Sequence, residues 1–399
     1  MPAIAIKPGI YWIGVNDRTT DLFEGMWPIQ KEGVSYNSYL VLDEKKALID
    51  LASGRQEAPY LQQILDLINP AELDYIVLNH MEPDHTGAAR SLYHLAPKAE
   101  FLVTAKGKPM LEAFYGITDR VRVVGDGETI ALGEKALQFF AVPFVHWPET
   151  MVTYEQTTGV LFSCDAFGGY GALMGAIFDD EYPDMAFYIQ ESLRYYVNIV
   201  ARFSGPVLNA IAKLGGLPIS VVAPSHGLIW RKNPMQIVQL YREWATLASE
   251  PGKPGVTLIY GSMYGNTENM MNAVATGVAR AGMPLAIFDA ARTHVSYILP
   301  SVWVHKGVLV GAPTYEVSLF PPVAQALGMV AHKRVMHKKA AYFGSYGWSR
   351  GAARECLEIT AKLNWEWQEP FEFNGAPTKE DLHRGEAFGE AFARSLAEG

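Results

Sequence analysis

Short apolar runs divide the chain into two regions with different rhythms. In the last third, VTLIY (256–260), LAIFD (285–289), GVLVG (307–311) and AAYFG (340–344) alternate with helix-compatible segments. Alternation of buried strand and crossover helix predicts a doubly wound parallel sheet. Segment 378–397 has the spacing of an amphipathic closing helix. In the first 250 residues the runs come in hairpin order, as in SYLVLDEKKALIDL (38–51) and TMVTYEQTTGVLFSCD (150–165), with helical stretches near 56–68 and 87–96. That mixture predicts an α+β sandwich. The stretch SEPGKPG (249–255) has linker composition, so the expected domains are 1–250 and 256–399.

Composition narrows the chemistry. A chain of 399 residues, 49% hydrophobic, can bury more than one core. No apolar run approaches the roughly 20 residues that span a bilayer. The start MPAIAIKPGI lacks a basic segment followed by a long apolar stretch, so a cytoplasmic protein with no membrane partner is expected. Cys164 and Cys356 are the only cysteines, which excludes a disulfide framework and four-thiolate metal sites within the chain. A bound metal must therefore be held by His and carboxylate. With 33 Lys plus Arg against 42 Asp plus Glu, the net charge of −9 argues against nucleic acid as a partner.

The segment YIVLNHMEPDHTGAA places His80, Glu82, Asp84 and His85 just after an apolar strand and before a helix. Pro83 and Gly87 indicate a loop, where several side chains can converge. His146 follows FFAVPFV, Asp165 follows GVLFSC and His226 follows ISVVAPS, so each stands where a strand would end. Any one of these residues alone reads more readily as part of a solvated polar turn; their clustering points to a metal site. His94, His294, His305, His332, His337 and His383 fall outside the pattern and read as surface or packing residues, as do the aromatic Trp147 and Tyr195.

This ligand order resembles the metallo-β-lactamase superfamily, whose metals sit at the strand ends of an αββα sandwich. One position departs from its hydrolytic members: Glu82 stands where they usually carry His. A carboxylate there makes the site richer in oxygen, which favours iron over zinc. The variant His80-x-Glu82-x-Asp84-His85, with HWPET at 146–150, resembles the flavodiiron proteins, also called A-type flavoproteins. The resemblance implies that His80, Glu82 and His146 serve one iron, that Asp84, His85 and His226 serve the other, and that Asp165 bridges them. Members of that family differ in whether the imidazole matching His85 coordinates.

After VTLIY comes Gly261-Ser262-Met263-Tyr264-Gly265-Asn266-Thr267, leading into a helix. Hydroxyls of Ser262 and Thr267, backbone amides freed by Gly265 and the positive helix end can together address one phosphate. The runs Pro313-Thr314-Tyr315-Glu316 and Ser345-Tyr346-Gly347-Trp348 follow the third and fourth strands and share the same sheet edge, where aromatic side chains suit a flat ring. FMN fits better than a dinucleotide, because no G-x-G-x-x-G is present. These loops are similar to those of flavodoxins, although Met263 and Tyr264 replace the small hydroxyl-rich residues common there.

The whole reads as a metallo-β-lactamase-like αββα domain followed by a flavodoxin-like domain. The resemblance implies an oxidoreductase in which FMN passes electrons to a di-iron centre that reduces nitric oxide or dioxygen. It further implies a head-to-tail homodimer or dimer of dimers. Two cysteines cannot build the rubredoxin module that some longer relatives carry, so a separate rubredoxin-like donor is expected. Arg292, Arg350 and Arg354 belong to the flavin edge and could meet it, whereas HKRVMHKK (332–339) reads as a solvated helix end at the opposite edge. Two other readings stay open: a zinc hydrolase fused to a flavodoxin, and a flavin electron carrier or redox sensor with a degenerate metal site. Iron near two per chain, zinc, or no metal would separate the three.

Overall fold

The computed structural model describes residues 2–397, which divide between Ala245 and Thr246 into two compact units. The first unit is built on two sheets. Seven strands run in the order Ile4–Lys7, Ile10–Trp12, Tyr39–Val41, Ala47–Ile49, Tyr75–Val77, Glu100–Val103 and Val121–Val123. Five more run in the order Thr129–Ala131, Ala136–Ala141, Met151–Glu155, Val160–Cys164 and Val221–Pro224. Tyr39 joins the two sheets, with its ring 5.0 Å from that of Phe162 and its hydroxyl donating to the Pro224 carbonyl. The hairpins read from the sequence are present: Tyr39 pairs antiparallel with Ile49, and Tyr154 with Leu161.

Helices Glu57–Leu67, Ala89–Leu95, Gly107–Tyr115, Met185–Tyr195 and Ser204–Leu214 belong to the same unit, and helix Pro234–Thr246 closes it at Ala245. Strands Val34–Tyr36, Tyr75–Val77, Val160–Cys164 and Val221–Pro224 are buried at every position, the signature of strands covered on both faces. Where parallel neighbours stop together, their carboxyl ends open into loops that face one another.

The second unit has parallel strands in the order Leu285–Asp289, Lys253–Tyr260, His305–Gly311, Lys339–Tyr346, with Glu366–Trp367 and Phe371–Asn374 both pairing with the last of these. In chain order this is a 2-1-3-4-5 sheet, whose switch point lies between the first and third strands. Helices Asn266–Arg280 and Lys379–Ala397 pack through Met270, Val274 and Phe392 onto Val256, Leu258 and Leu309. Their close crossing needs glycine: a Cβ on Gly277 would lie 1.9 Å from the Glu386 carbonyl oxygen, and one on Gly389 2.1 Å from that of Val274. Each fully buried aliphatic side chain in this core contributes about 1.5–3 kcal/mol.

Candidate metal centre and flavin loops

Strand Tyr75–Val77 delivers the chain into a loop that is pinned at several backbone points. Asn79 donates from its backbone and its side chain to the two oxygens of Asp50, at 2.8 and 3.0 Å. The Met81 amide donates to Glu149 Oε1 at 3.0 Å, and the His85 amide to the Glu82 carbonyl at 3.0 Å. Asp165 follows strand Val160–Cys164, with Cys164 in the left-handed region at φ 53°. A β-branched or bulky residue at that backbone angle would be strained, so the small thiol suits the turn. His226 leaves strand Val221–Pro224, and His146 lies in the loop between strands Ala136–Ala141 and Met151–Glu155.

These loops bring all seven residues together in two groups. In one, His80 Nε2 lies 3.2 Å from Glu82 Oε2 and 3.4 Å from Asp165 Oδ2, and His146 Nε2 lies 3.0 and 3.4 Å from the same two oxygens. In the other, His85 Nε2 lies 3.3 Å from Asp84 Oδ1 and 3.0 Å from Asp165 Oδ1, and His226 Nε2 lies 3.3 Å from Asp84 Oδ2 and 3.4 Å from Asp165 Oδ1. Asp165 thus turns one oxygen to each group. Metal bonds of about 2.0–2.2 Å in tetrahedral or octahedral geometry would separate neighbouring donors by roughly 2.8–3.6 Å. The observed separations fall inside that interval.

The residues also fit a metal by what they lack. Asp84 Oδ1, His85 Nε2, Asp165 Oδ2 and His226 Nε2 are buried without a hydrogen-bond partner, although each is close to oppositely charged atoms. Such atoms are left over in both donor groups, and orphaned buried polar atoms are rare enough to need a reason. Cys164 lies within reach of His85 and Asp165, but burial pushes its thiol well above the usual range, leaving a neutral group beside oxygen and nitrogen donors. Burial opposes charge on His146, yet the Asp165 and Glu82 carboxylates overcome it and hold the imidazole up to about 10. His226 is held up to about 9, against burial, by Asp165 and Asp84. In the metal-free chain protons thus do the work that cations would do.

Several neighbours take roles around these donors that the sequence did not assign to them. His80 Nδ1 is 2.7 Å from Glu149 Oε1, and His226 Nδ1 is 2.8 Å from the Ser35 carbonyl oxygen. Tyr195, expected as a packing aromatic, is fully buried but also donates its hydroxyl to Asp165 Oδ1 at 2.9 Å. Its helix widens into a π turn over Tyr196–Val200, the kind of distortion that re-aims a side chain. Trp147 packs edge-on against His80, with ring centroids 5.0 Å apart. In front of the centre lies a cavity of about 510 Å³ whose lining includes Glu24, Tyr36, Arg55, Glu82 and Asp84. Glu24 reaches solvent, yet crowding by protein and the nearby Glu82 push its carboxyl up to about 7, a value that bound cations would draw down.

In the second unit the loops after the first, third and fourth strands share the carboxyl edge. Ser262 Oγ accepts from the Gly265 amide at 3.1 Å and the Glu268 amide at 3.4 Å, gathering the loop around the start of helix Asn266–Arg280. Gly265 has φ +89°, a left-handed angle that glycine adopts without strain. Thr267 is buried, Asn266 half-buried, and Met263 and Tyr264 exposed. Pro313 is buried, while Tyr315 and Glu316 project into solvent. The hydroxyl oxygen of Thr314 is buried and unpartnered, so it can receive a ligand hydrogen bond. Ser345 donates to the Gly375 carbonyl at 2.7 Å, Tyr346 is half-buried, and Gly347 and Trp348 are exposed. Exposed aromatics in two of these loops, Tyr264 and Trp348, fit a flat phosphorylated ring.

Residues 34–227 match the family described as ODP family beta lactamase, and residues 258–386 match Flavodoxin. The anaerobic nitric oxide reductase flavorubredoxin of Escherichia coli O1:K1 is 34% identical over 99% of this chain and 83% of that protein. Among solved structures, the rubredoxin oxygen:oxidoreductase of Desulfovibrio gigas aligns with a TM-score of 0.93 at 29% identity, covering 99% of both chains. The flavodiiron protein of Giardia intestinalis aligns with a TM-score of 0.92 at 27% identity, covering 100% of this chain and 97% of that one. The chain belongs to the flavodiiron protein family.

One feature of this flavodiiron chain differs from what the sequence suggested. Lys338 is not at a solvated helix end: the helix stops at His332, and Lys338 is buried with its amine donating to the carbonyls of Trp303 and Pro251 at 2.9 and 3.0 Å. Burial pushes it down to about 7. Arg292, Arg350 and Arg354 do follow the second and fourth strands, but each faces a carboxylate, Asp289 at 3.3 Å, Glu372 at 3.8 Å and Glu358 at 3.6 Å. Among the described residues no helix is long and apolar enough to cross a membrane.

Proposed function

We propose that this chain reduces nitric oxide to nitrous oxide, dioxygen to water, or both, with electrons delivered through FMN from an external donor. The observation that carries the reading is the sharing of Asp165: one buried carboxylate faces two donor groups, one of which contains Glu82. A pair of irons so held supplies two adjacent redox metals for a diatomic gas, and FMN supplies single electrons to them. His80, Glu82 and His146 would hold one iron and Asp84, His85 and His226 the other, with Asp165 between them. His85 belongs in this set because its Nε2 is buried and directed at the same region as that of His226.

The protein's own contribution is rigidity and exclusion. Asp50 and Glu149 fix the loop that presents His80 to His85, Tyr195 fixes one oxygen of Asp165, and Phe23 and Tyr36 stack edge-on against His226 at 5.3 and 5.6 Å. Such packing limits water around the donors and leaves the cavity beside Glu24 as the approach for a small ligand. The names of the relatives point to both gases: the Escherichia coli protein is a nitric oxide reductase and the Desulfovibrio gigas protein an oxygen oxidoreductase.

Ser262–Thr267 would cradle the FMN phosphate, and Pro313–Glu316 and Ser345–Trp348 would hold its ring. A rubredoxin-like donor, a cytoplasmic location and a head-to-tail homodimer or dimer of dimers complete the proposal. Anaerobic reaction of the reduced, iron-loaded protein with nitric oxide and with dioxygen, separately, tests it. Zinc in place of iron, with hydrolysis but no gas consumption, would favour the hydrolase reading; flavin reduction without any metal would favour the carrier. Mixing a flavin-dead with an iron-dead variant tests the dimer, since verified hybrids should regain activity only if electrons cross between copies.

A further inference from the structure

We infer that Glu149 is a positioning residue for the metal centre, fixing the His80 ring and its tautomer so that Nε2 is the donor atom. The inference rests on the proposed metal-binding role of His80. The argument is a proton inventory around His80 Nδ1, which has two polar neighbours: Glu149 Oε1 at 2.7 Å and Thr150 Oγ1 at 3.4 Å. Thr150 uses its own hydroxyl proton on the Trp147 carbonyl at 3.0 Å, so it turns a lone pair to the ring. Glu149 Oε1 already accepts from the Met81 amide at 3.0 Å and has no proton to offer in its ionised form. Both neighbours are acceptors, so Nδ1 carries the hydrogen and a neutral ring keeps its lone pair on Nε2.

The same oxygen fixes the loop as well as the ring. Because Met81 lies between His80 and Glu82, one atom of Glu149 sets the backbone on which both donors are mounted. Glu149 is itself buried, at 2% exposure, and is anchored by the Thr104 hydroxyl, which donates to its carbonyl at 2.9 Å. The other donor group is arranged differently. His226 Nδ1 donates to a neutral backbone carbonyl, that of Ser35, so its tautomer is set without a charge. Of these two rings, only that of His80 is backed by an anion, which raises ligand basicity. The two halves of the centre are therefore inequivalent, and Glu149 acts on one of them.

The test uses full-length protein loaded with iron, comparing wild type, Glu149→Ala and Glu149→Gln. Iron release to a chelator is followed under anaerobic conditions alongside the Mössbauer spectrum of the reduced protein. Glu149→Ala should weaken the hold on one iron per chain by about 10- to 100-fold, leave the other near wild type, and change one of two iron signals. Glu149→Gln should recover most of the loss, because an amide oxygen can accept from both Nδ1–H and the Met81 amide. Thermal melts of the metal-free variants and their FMN content separate this from misfolding. Equal loss of both irons, a glutamine variant as damaged as the alanine one, or unchanged release from a folded alanine variant would each overturn the assignment. Loss of all iron from Glu82→Ala, Asp165→Ala and wild type alike would instead remove the underlying metal reading.

Discussion

The two candidate sites solve opposite problems. At the metal centre, His80, His85, Asp165 and His226 are no more than 1% exposed, and carboxylates are crowded against imidazoles. At the flavin edge, Tyr264 is 89% and Trp348 82% exposed. Burying charge is costly unless it is paired, so the first site has to be assembled by the fold and neutralised by protons or cations. Exposed aromatic loops carry no such penalty, and they need only close on a flat ligand. The first site is thus preorganised at the expense of stability, and the second is left for its ligand to complete.

The strongest way to break that contrast is to cut into the buried site. Glu82→Ala should lose iron and lower gas reduction at least about 100-fold, as expected when a carboxylate ligand rather than a supporting group is removed. FMN content should stay unchanged. A purified variant with full iron and normal turnover would sink the assignment of Glu82.

Proton linkage gives the next largest effect. His146 and His226, held up to about 10 and about 9, are charged in the metal-free protein at neutral pH and must each lose a proton to bind iron. Iron affinity should therefore rise with pH between pH 7 and 9. The stability sign is opposite. A histidine with raised folded pKa contributes stability fully below its unfolded value near 6.5 and loses it as pH rises through the folded one. Metal-free protein should then melt at lower temperature as pH climbs from 7 to 10, and iron-loaded protein should not share that loss. Parallel melting curves for the two forms would contradict the linkage.

At the exposed site the expected effect is smaller. Trp348→Ala should weaken FMN binding about tenfold, the value of one aromatic contact at the upper end of its usual range, with iron content unchanged. A fluorescence titration of the flavin-free protein measures it; no change would place the ring contact elsewhere.

Lys338 offers a buried charge in the flavodoxin-like unit itself. Its amine, pushed down to about 7 by burial, is less protonated when folded than when unfolded between about pH 7 and 10. Stability of this unit should rise with pH across that window, and Lys338→Met should flatten the rise. Unfolding by denaturant at several pH values reads the slope, and an unaltered slope in the variant would show that another group causes it.

The smallest effect belongs to the surface arginines. Reversing Arg292 and Arg350 to Glu should slow reduction by rubredoxin a few-fold and flatten its salt dependence, leaving reduction by a small chemical reductant unchanged. The carboxylates already facing both residues keep the effect modest. A larger effect from Lys339→Glu, at the opposite end of its strand, would relocate the docking face.

The strands were legible because their information is local. LAIFD at 285–289 is a strand over those same residues, the hairpin runs pair as read, and the closing helix spans Lys379–Ala397. Apolar period and flanking glycine and proline operate within one segment, so a linear reading recovers them. Candidate donors were legible for a related reason: unusual residue types stood at the ends of apolar runs. Their partition was not. Which oxygen of Asp165 faces which group depends on loops brought together from four strand ends, and the carboxylate behind His80 comes from 69 positions away, the carbonyl behind His226 from 191. Nothing in the local pattern around Lys338 distinguished it from its charged neighbours, because the carbonyls of Trp303 and Pro251 that receive its amine arrive from elsewhere in the chain. Sequence alone determined the elements and the kinds of chemistry on offer; only the tertiary structure decided which donors meet, because hydrogen bonds and desolvation act between groups that the chain order keeps far apart.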